Sequence, residues 1–115
     1  MRETRSMEDY SRLLELKVFT LPGCSICPVA KQIASEVANK LGLSYREVNL
    51  STIEGLEEAS PHKIMSVPSI ALNDDVIVRG RLISKEKLEE EVQKRLEKWR
   101  NRVERDKISD GYRHV

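Results

Sequence analysis

Apolar residues in the first half of the chain follow two periods, one typical of strands and one typical of helices. Residues 16–20 form a short run with branched and aromatic side chains, and Pro22 and Gly23 follow, which predicts a strand that ends there. Over residues 25–41 apolar side chains recur every three or four positions, which predicts a helix with one apolar face. Pro28 is tolerated in its first turn, and Gly42 is suited to cap its C-terminus.

The middle of the chain predicts a second strand and a short second helix. Residues 45–50 alternate as a strand does, and the preceding helix would make this strand parallel to the first through a right-handed crossover. Ser51 and Glu54 fit a capping box, which predicts a helix that begins there and runs toward Ala59. Pro61 should end or bend this helix.

The last part of the chain predicts a hairpin followed by a long helix. Residues 69–72 and 76–79 flank the turn-forming residues 73–75, which predicts two antiparallel strands. Gly80 interrupts the second strand, and Ser84 can cap a helix. Apolar residues then continue at helical spacing, at Leu88, Val92, Leu96, Trp99 and Val103. The predicted order is β-α-β-α-β-β-α.

The composition fits one small domain. The chain has 115 residues, of which 34% are charged, and its formal net charge is +1. That balance and an aromatic content of 4% give no reason to expect nucleic acid or an anionic membrane as a partner. We expect an N-terminal extension over residues 1–14, a domain over 15–97, and a basic helix end and tail over 98–115. With no export signal or membrane span, the reducing cytoplasm is the expected compartment. A monomer is also expected.

The two cysteines lie where the first strand leads into the first helix. Cys24 and Cys27 are separated by two residues, so a disulfide could close a small ring across the first turn. Unpaired N–H groups and the helix dipole favour the thiolate at such a position, and the pKa of Cys24 should lie below the ordinary value of about 8.5. Zinc sites and haem attachments also use a CxxC spacing. The spacing alone therefore leaves redox exchange and metal binding open.

A second motif makes the chain resemble a known family. The element order, the CxxC at the strand–helix junction and Ser66-Val67-Pro68-Ser69 before the hairpin together resemble the thioredoxin/glutaredoxin superfamily over residues 15–97. The resemblance implies an α/β thioredoxin fold: a four-stranded mixed sheet of strand order 2-1-3-4, with helices on both faces. It also implies that Pro68 is cis and that Val67 offers its backbone to an extended substrate.

The chain differs from the usual members at several positions. Gly23 stands where thioredoxins usually have Trp, and Ser25 and Ile26 lie between the cysteines in place of Gly-Pro or Pro-Tyr. The Gly-Gly-Asp-type segment that helps glutaredoxins bind glutathione is replaced by residues 78–81. Val18 occupies the position of the buried aspartate that deprotonates the second cysteine in thioredoxins. Another group, or water, must therefore take the proton from Cys27.

The sequence predicts a thiol–disulfide oxidoreductase that reduces protein disulfides. Cys24, at the exposed end of the helix, is the candidate nucleophile, and Cys27, one turn further in, is the candidate resolving thiol. No cofactor is expected beyond the redox-active disulfide. A reductase or a low-molecular-weight thiol would supply electrons, and the missing glutathione-type segment favours the reductase.

Three alternatives remain at this point. The first is a metal- or iron–sulfur-binding CxxC module formed across a dimer, and the second is a glutathione-dependent glutaredoxin. The third is a redox-inactive binding domain of the same fold. No metal site is predicted within the chain, because the two histidines, His62 and His114, are expected at the solvated surface.

Overall fold

The computed structural model describes the backbone of residues 14–113 and the side chains of residues 14–100. Its elements follow the predicted β-α-β-α-β-β-α order, with bounds within a few residues of those expected. A single 3-10 turn at Ser60–His62 contains Pro61, which therefore ends the second helix as predicted. The elements are β1 Glu15–Thr20, α1 Cys27–Leu41, β2 Ser44–Asn49, α2 Ile53–Ala59, β3 Ser69–Leu72, β4 Asp75–Val78 and α3 Lys85–Arg113.

The four strands form one mixed sheet in the order β2-β1-β3-β4, which confirms the predicted topology. β1 pairs in parallel with β2 and antiparallel with β3, and β3 and β4 form the antiparallel hairpin. In this register Phe19 lies beside Val48 on one side and Ser69 on the other. The end of β1 and the beginning of β3 therefore meet at the same end of the sheet.

Helices cover both faces of the sheet, as the resemblance implied. Leu16 and Val18 of β1 pack with α1 and α3 in the larger core cluster, whereas Phe19 packs in a second cluster that includes Ala59 of α2. Successive strand residues point to opposite faces, so β1 contributes to both cores. Leu14, directly before β1, also belongs to the larger core.

Two helix starts differ from the sequence predictions for local reasons. α1 begins at Cys27, two residues after the predicted start, with Ile26 as its N-cap, and residues 21–24 before it form a turn in which the Cys24 N–H donates to the Leu21 carbonyl at 3.3 Å. α2 is capped by Thr52, whose hydroxyl accepts from the Gly55 N–H at 2.9 Å. The Ser51 hydroxyl instead donates to Asn49 at 2.8 Å.

His62 lies in the interior, and the expectation of a solvated surface position was wrong. It is 8% exposed, its ring meets Phe19 edge to face with centroids 5.7 Å apart, and its Nε2 lies 3.4 Å from the Lys17 ammonium. Lys17 is itself buried and pairs with Glu58 of α2 at 3.4 Å. Lys17 is buried because α2 and the 3-10 turn, which follow β2, pack over its face of the sheet. His114 lies outside the described residues.

Within the part of the chain that the structure describes, no helix is both long and apolar enough to cross a membrane. The final helix is long, as predicted, with 29 residues, but it anchors to the core through Leu88 and Val92.

We predict that Leu88→Ala lowers the free energy of unfolding by about 2–5 kcal/mol, because it leaves a cavity at a fully buried site. Leu56→Ala is the matched control, since Leu56 is also helical but 56% exposed, and its effect should stay within about 0.5 kcal/mol. Chemical denaturation of each reduced variant measures both values. Equal losses for the two variants would contradict the placement of α3 against the sheet.

Candidate active site

The two cysteines form a disulfide at the junction of β1 and α1. Their Cα atoms are 5.4 Å apart, and the described residues contain no free cysteine. Cys24 is partly exposed in the loop, whereas Cys27 is only 3% exposed at the start of the helix. An incoming disulfide or thiol therefore reaches the sulfur of Cys24 more readily than that of Cys27.

The beginning of α1 favours negative charge on these sulfurs. Cys27 is the first helical residue, and the N-cap residue Ile26 has no side-chain oxygen to accept from the first-turn N–H groups. The first turn also contains no acidic residue. The positive end of the helix dipole is thus left uncompensated beside the sulfurs, which favours the thiolate form. The sequence predicted this environment, although it placed the helix start two residues earlier.

The Val67–Pro68 peptide bond is cis, the conformation that the resemblance implied. Pro68 is fully buried and directly precedes β3, whose first residue Ser69 pairs with Phe19 of β1. Pro68 therefore lies at the same end of the sheet as the loop that carries Cys24. Val67 is only half-buried, and its backbone makes no hydrogen bond with other residues between 14 and 100.

Ser69 and Gly80 hold the loop that contains the cis bond. The Ser69 hydroxyl donates to the Ser66 carbonyl at 2.8 Å and accepts from the Gly80 N–H at 3.2 Å. Gly80 has a φ of +69°, and a Cβ at this position would lie 2.8 Å from the Cβ of Ser66 and closer still to its hydroxyl. Position 80 therefore requires glycine both for its backbone angle and for the close approach of the two loops.

A polar cluster that sequence reasoning missed lies beside the disulfide. The Thr20 hydroxyl donates to Glu47 at 2.7 Å, and the Lys31 ammonium lies 3.3 Å from the other oxygen of the same carboxylate. The pKa of Glu47 lies below its ordinary value chiefly because Thr20 donates to it; partial burial opposes this effect and Lys31 adds to it. Val18, which stands where thioredoxins have a buried aspartate, is fully buried in the core.

One signal in the sequence could have identified this cluster. The alternation of residues 45–50 places Glu47 on the opposite face of β2 from the buried Val48. Because β1 and β2 pair in parallel, the side chains of Glu47 and Thr20 lie on the same face of the sheet. α1 covers this face. The relation requires the register of the two strands, which the sequence alone does not supply.

The larger of two cavities described lies at the other end of the sheet. It has a volume of about 540 Å³ and lies between the turn after β3 and α3, with Leu14, Asn73, Arg95 and Trp99 in its lining. It contains no cysteine. Among the residues that the structure describes, no group of three or more His, Cys, Asp and Glu side chains could hold a metal ion.

The fold and this site define the class of protein: a redox-active CxxC disulfide at a helix start, on a mixed sheet, beside a cis-proline loop, is the arrangement of a thiol–disulfide oxidoreductase.

Comparisons with known proteins agree with this class. The thioredoxin domain family matches residues 14–93. The thioredoxin of Methanocaldococcus jannaschii is 36% identical over 83 residues, which cover 72% of this chain and 96% of that protein. A probable thioredoxin of Archaeoglobus fulgidus is 35% identical over 68 residues, or 59% of this chain and 75% of that one. The solved thioredoxin 1 of Thermosipho africanus shares the fold with a TM-score of 0.58 at 17% identity, and the match covers 72% of this chain and 94% of that one.

The chain belongs to the thioredoxin domain family and is a thioredoxin-like thiol–disulfide oxidoreductase. Membership implies, in general terms, disulfide-containing protein substrates and a reductase as electron donor.

We predict that Gly80→Ala lowers the free energy of unfolding by about 2 kcal/mol or more, because it combines backbone strain with a clash at Ser66. It should also lower disulfide-reductase activity, since it displaces the loop that holds Pro68. Gly42→Ala is the matched control: its φ is also positive, at +74°, but a Cβ there meets nothing within 4 Å. Denaturation and turnover assays on both variants test this. A loss of activity as large for Gly42→Ala as for Gly80→Ala would refute the proposed role of Gly80 in holding the Pro68 loop.

Proposed function

We propose that Cys24 is the nucleophile and Cys27 the resolving thiol in the reduction of protein disulfides. The observation that supports these roles is the unequal exposure of the two joined cysteine residues, since Cys24 is partly exposed and Cys27 is 3% exposed. The uncapped start of α1 supports a reactive thiolate at the same place.

The reaction proceeds by two exchanges that balance in atoms and electrons. The Cys24 thiolate attacks one sulfur of the substrate disulfide, forms a mixed disulfide and releases the first substrate thiolate. Cys27, as its thiolate, then attacks the Sγ of Cys24, forms the Cys24–Cys27 disulfide and releases the second substrate thiolate. The substrate gains two electrons, and the protein loses two, which a reductase must restore.

The substrate segment lies along Val67 and Pro68 in this proposal. The half-buried Val67 has backbone groups that make no hydrogen bond with the described residues, so an extended peptide can pair with them as an added strand. Exposed apolar side chains occur in the cysteine loop, at the start of α1 and before the cis bond, and they suit an unfolded or extended protein segment. They are Leu21, Ile26, Val29 and Met65.

A reductase is the proposed electron donor, in preference to glutathione. The segment over residues 78–81 replaces the glutathione-type segment, and within it Arg79 donates to the carbonyls of His62 and Lys63 at 3.0 and 3.1 Å. Its guanidinium thus holds the preceding loop and is partly withdrawn from binding a free carboxylate. The monomeric state and the cytoplasmic location stay predictions.

We predict that Cys24→Ser abolishes insulin reduction, whereas Cys27→Ser accumulates a mixed disulfide with the substrate. The second variant keeps the exposed nucleophile but lacks the thiol that releases the product. Turnover with a thioredoxin reductase and NADPH measures the first effect, and intact mass measures the second. Equal turnover of Cys24→Ser and wild type would overturn the assignment.

The same assay tests the donor. Wild-type protein supplied with glutathione and glutathione reductase should turn over far more slowly than with the thioredoxin reductase system. Comparable rates would mean that the protein works as a glutaredoxin.

A second measurement tests the helix effect on Cys24. We predict that Cys24 of the reduced protein reacts with iodoacetamide with a pKa below the ordinary thiol value of about 8.5, because the uncapped start of α1 stabilises its thiolate. Alkylation of Cys27→Ser across a pH series isolates this thiol. A pKa at or above the ordinary value would show that the helix does not activate Cys24.

A further inference from the structure

The buried position of Cys27 creates a problem of proton transfer. Only its thiolate can attack Cys24, yet at 3% exposure the thiol has little contact with solvent that could take its proton. Val18 of the central strand offers no acceptor, because it is apolar and fully buried. The acceptor is therefore water or a side chain from another element near the sulfur.

A cavity of about 220 Å³ adjoins the disulfide and opens to solvent. Both cysteines line it, and Glu47 is the one carboxylate among the described residues of its lining. We propose that Glu47 accepts the proton of Cys27 during the resolving step, directly or through water in this cavity. The remaining lining residues are Thr20, Leu21, Pro22, Gly23, Pro28, Lys31 and Asn49.

Thr20 allows Glu47 to hold and release that proton. Its hydroxyl donates to the ionised carboxylate at 2.7 Å, and a hydroxyl can turn to accept from a protonated carboxyl. An ordinary glutamate is already ionised at neutral pH, and the pKa of Glu47 lies lower still, chiefly because Thr20 donates to it, so the carboxylate is in its accepting form. Because the Glu47 side chain is 38% exposed, the proton can pass on to solvent after the step.

Lys31 brings a positive charge to the same cavity. It lies four residues after Cys27 on α1, so the two side chains are on the same helix face. Its ammonium is 3.3 Å from Glu47 and offsets the repulsion between that carboxylate and a forming thiolate. The other titratable groups near Glu47 are Cys24 in the cavity and Tyr45 on the same strand, whose pKa is raised mainly by burial and secondarily by Glu47.

The step rests on the proposed roles of the cysteines and balances as written. The Cys27 thiol loses its proton to Glu47 as its sulfur forms a bond with Cys24 Sγ, and the bond between Cys24 and the substrate sulfur breaks. The electron pair leaves with the substrate thiolate. Glu47 then returns to the carboxylate by releasing the proton to solvent.

The test follows a mixed disulfide in time. Reduced wild-type protein and Glu47→Gln are mixed with an oxidised peptide disulfide, quenched with acid, and analysed by intact mass from mildly acidic to alkaline pH. Formation of the mixed disulfide reports Cys24, and its decay reports Cys27. Glu57→Gln is the matched control, because Glu57 is an exposed carboxylate on α2 and lies outside the cavity.

We expect Glu47→Gln to slow the decay by about tenfold or more at neutral pH and to leave formation within about twofold of wild type. The effect is smaller than the roughly hundredfold low end of general-base catalysis because water in the open cavity remains as a second acceptor. The defect should disappear at alkaline pH, where hydroxide removes the proton of Cys27. Decay within twofold of wild type at every pH, or a loss that persists equally at alkaline pH, overturns the proposal. Failure of wild type itself to form a mixed disulfide through Cys24 would instead refute the proposed function.

A second pair of variants keeps the test decisive if Glu47→Gln folds poorly. Thr20→Val removes the hydroxyl without changing the side-chain shape, and it should reproduce the pH-dependent slowing of decay. Thr20→Ser keeps the hydroxyl and should restore a rate within about threefold of wild type, because the hydrogen bond to Glu47 remains available. Equal decay rates for the valine and serine variants would contradict a role for the Thr20–Glu47 pair.

Discussion

β1 lies at the centre of the sheet, paired on one side with β2 and on the other with β3, and both of its faces are covered by helices. The residue after this strand opens the cysteine loop, and the strand residue Phe19 lies directly beside Ser69. The pairing of β1 with β3 thus places the loop that carries Cys24 beside Pro68, and the pairing of β1 with β2 places Thr20 near Glu47. Loss of the β1–β3 pairing would separate Cys24 from Pro68, and loss of the β1–β2 pairing would separate Thr20 from Glu47.

The parts of the fold that the sequence predicted well depend on local periodicity. The apolar repeat of α1 and the alternation of the strands report which side faces the core, and topology follows because a helix joins two parallel strands. Helix starts were less predictable, since the competition between the turn at residues 21–24 and helix formation involves few hydrogen bonds. Similarly, Thr52 and the adjacent Ser51 are both good caps, and only the position of Asn49 decides between them.

The site was predictable where its residues form a motif and unpredictable where they meet across strands. Cys24, Cys27 and Pro68 are recognisable from spacing and from the family pattern. Thr20 and Glu47 are 27 residues apart, and they meet because parallel pairing brings the ends of β1 and β2 together. His62 and Lys17 are 45 residues apart and meet on the opposite face of the same sheet. No period within either segment reports such a contact, which is why His62 was assigned to the surface.

The position of the carboxylate decides its chemical character. A carboxylate at position 18 would lie in a fully buried site, where desolvation favours the neutral acid and raises the pKa. Glu47 lies one strand away, at the edge of the sheet, where Thr20 and Lys31 favour the ionised form and solvent remains in contact. Glu47 on the outer strand β2 is therefore ionised at neutral pH and can accept a proton, but it binds the proton weakly because its pKa is low. Such a group acts by rapid transfer to solvent rather than by storing the proton, and it needs the open cavity beside Cys27 for that transfer.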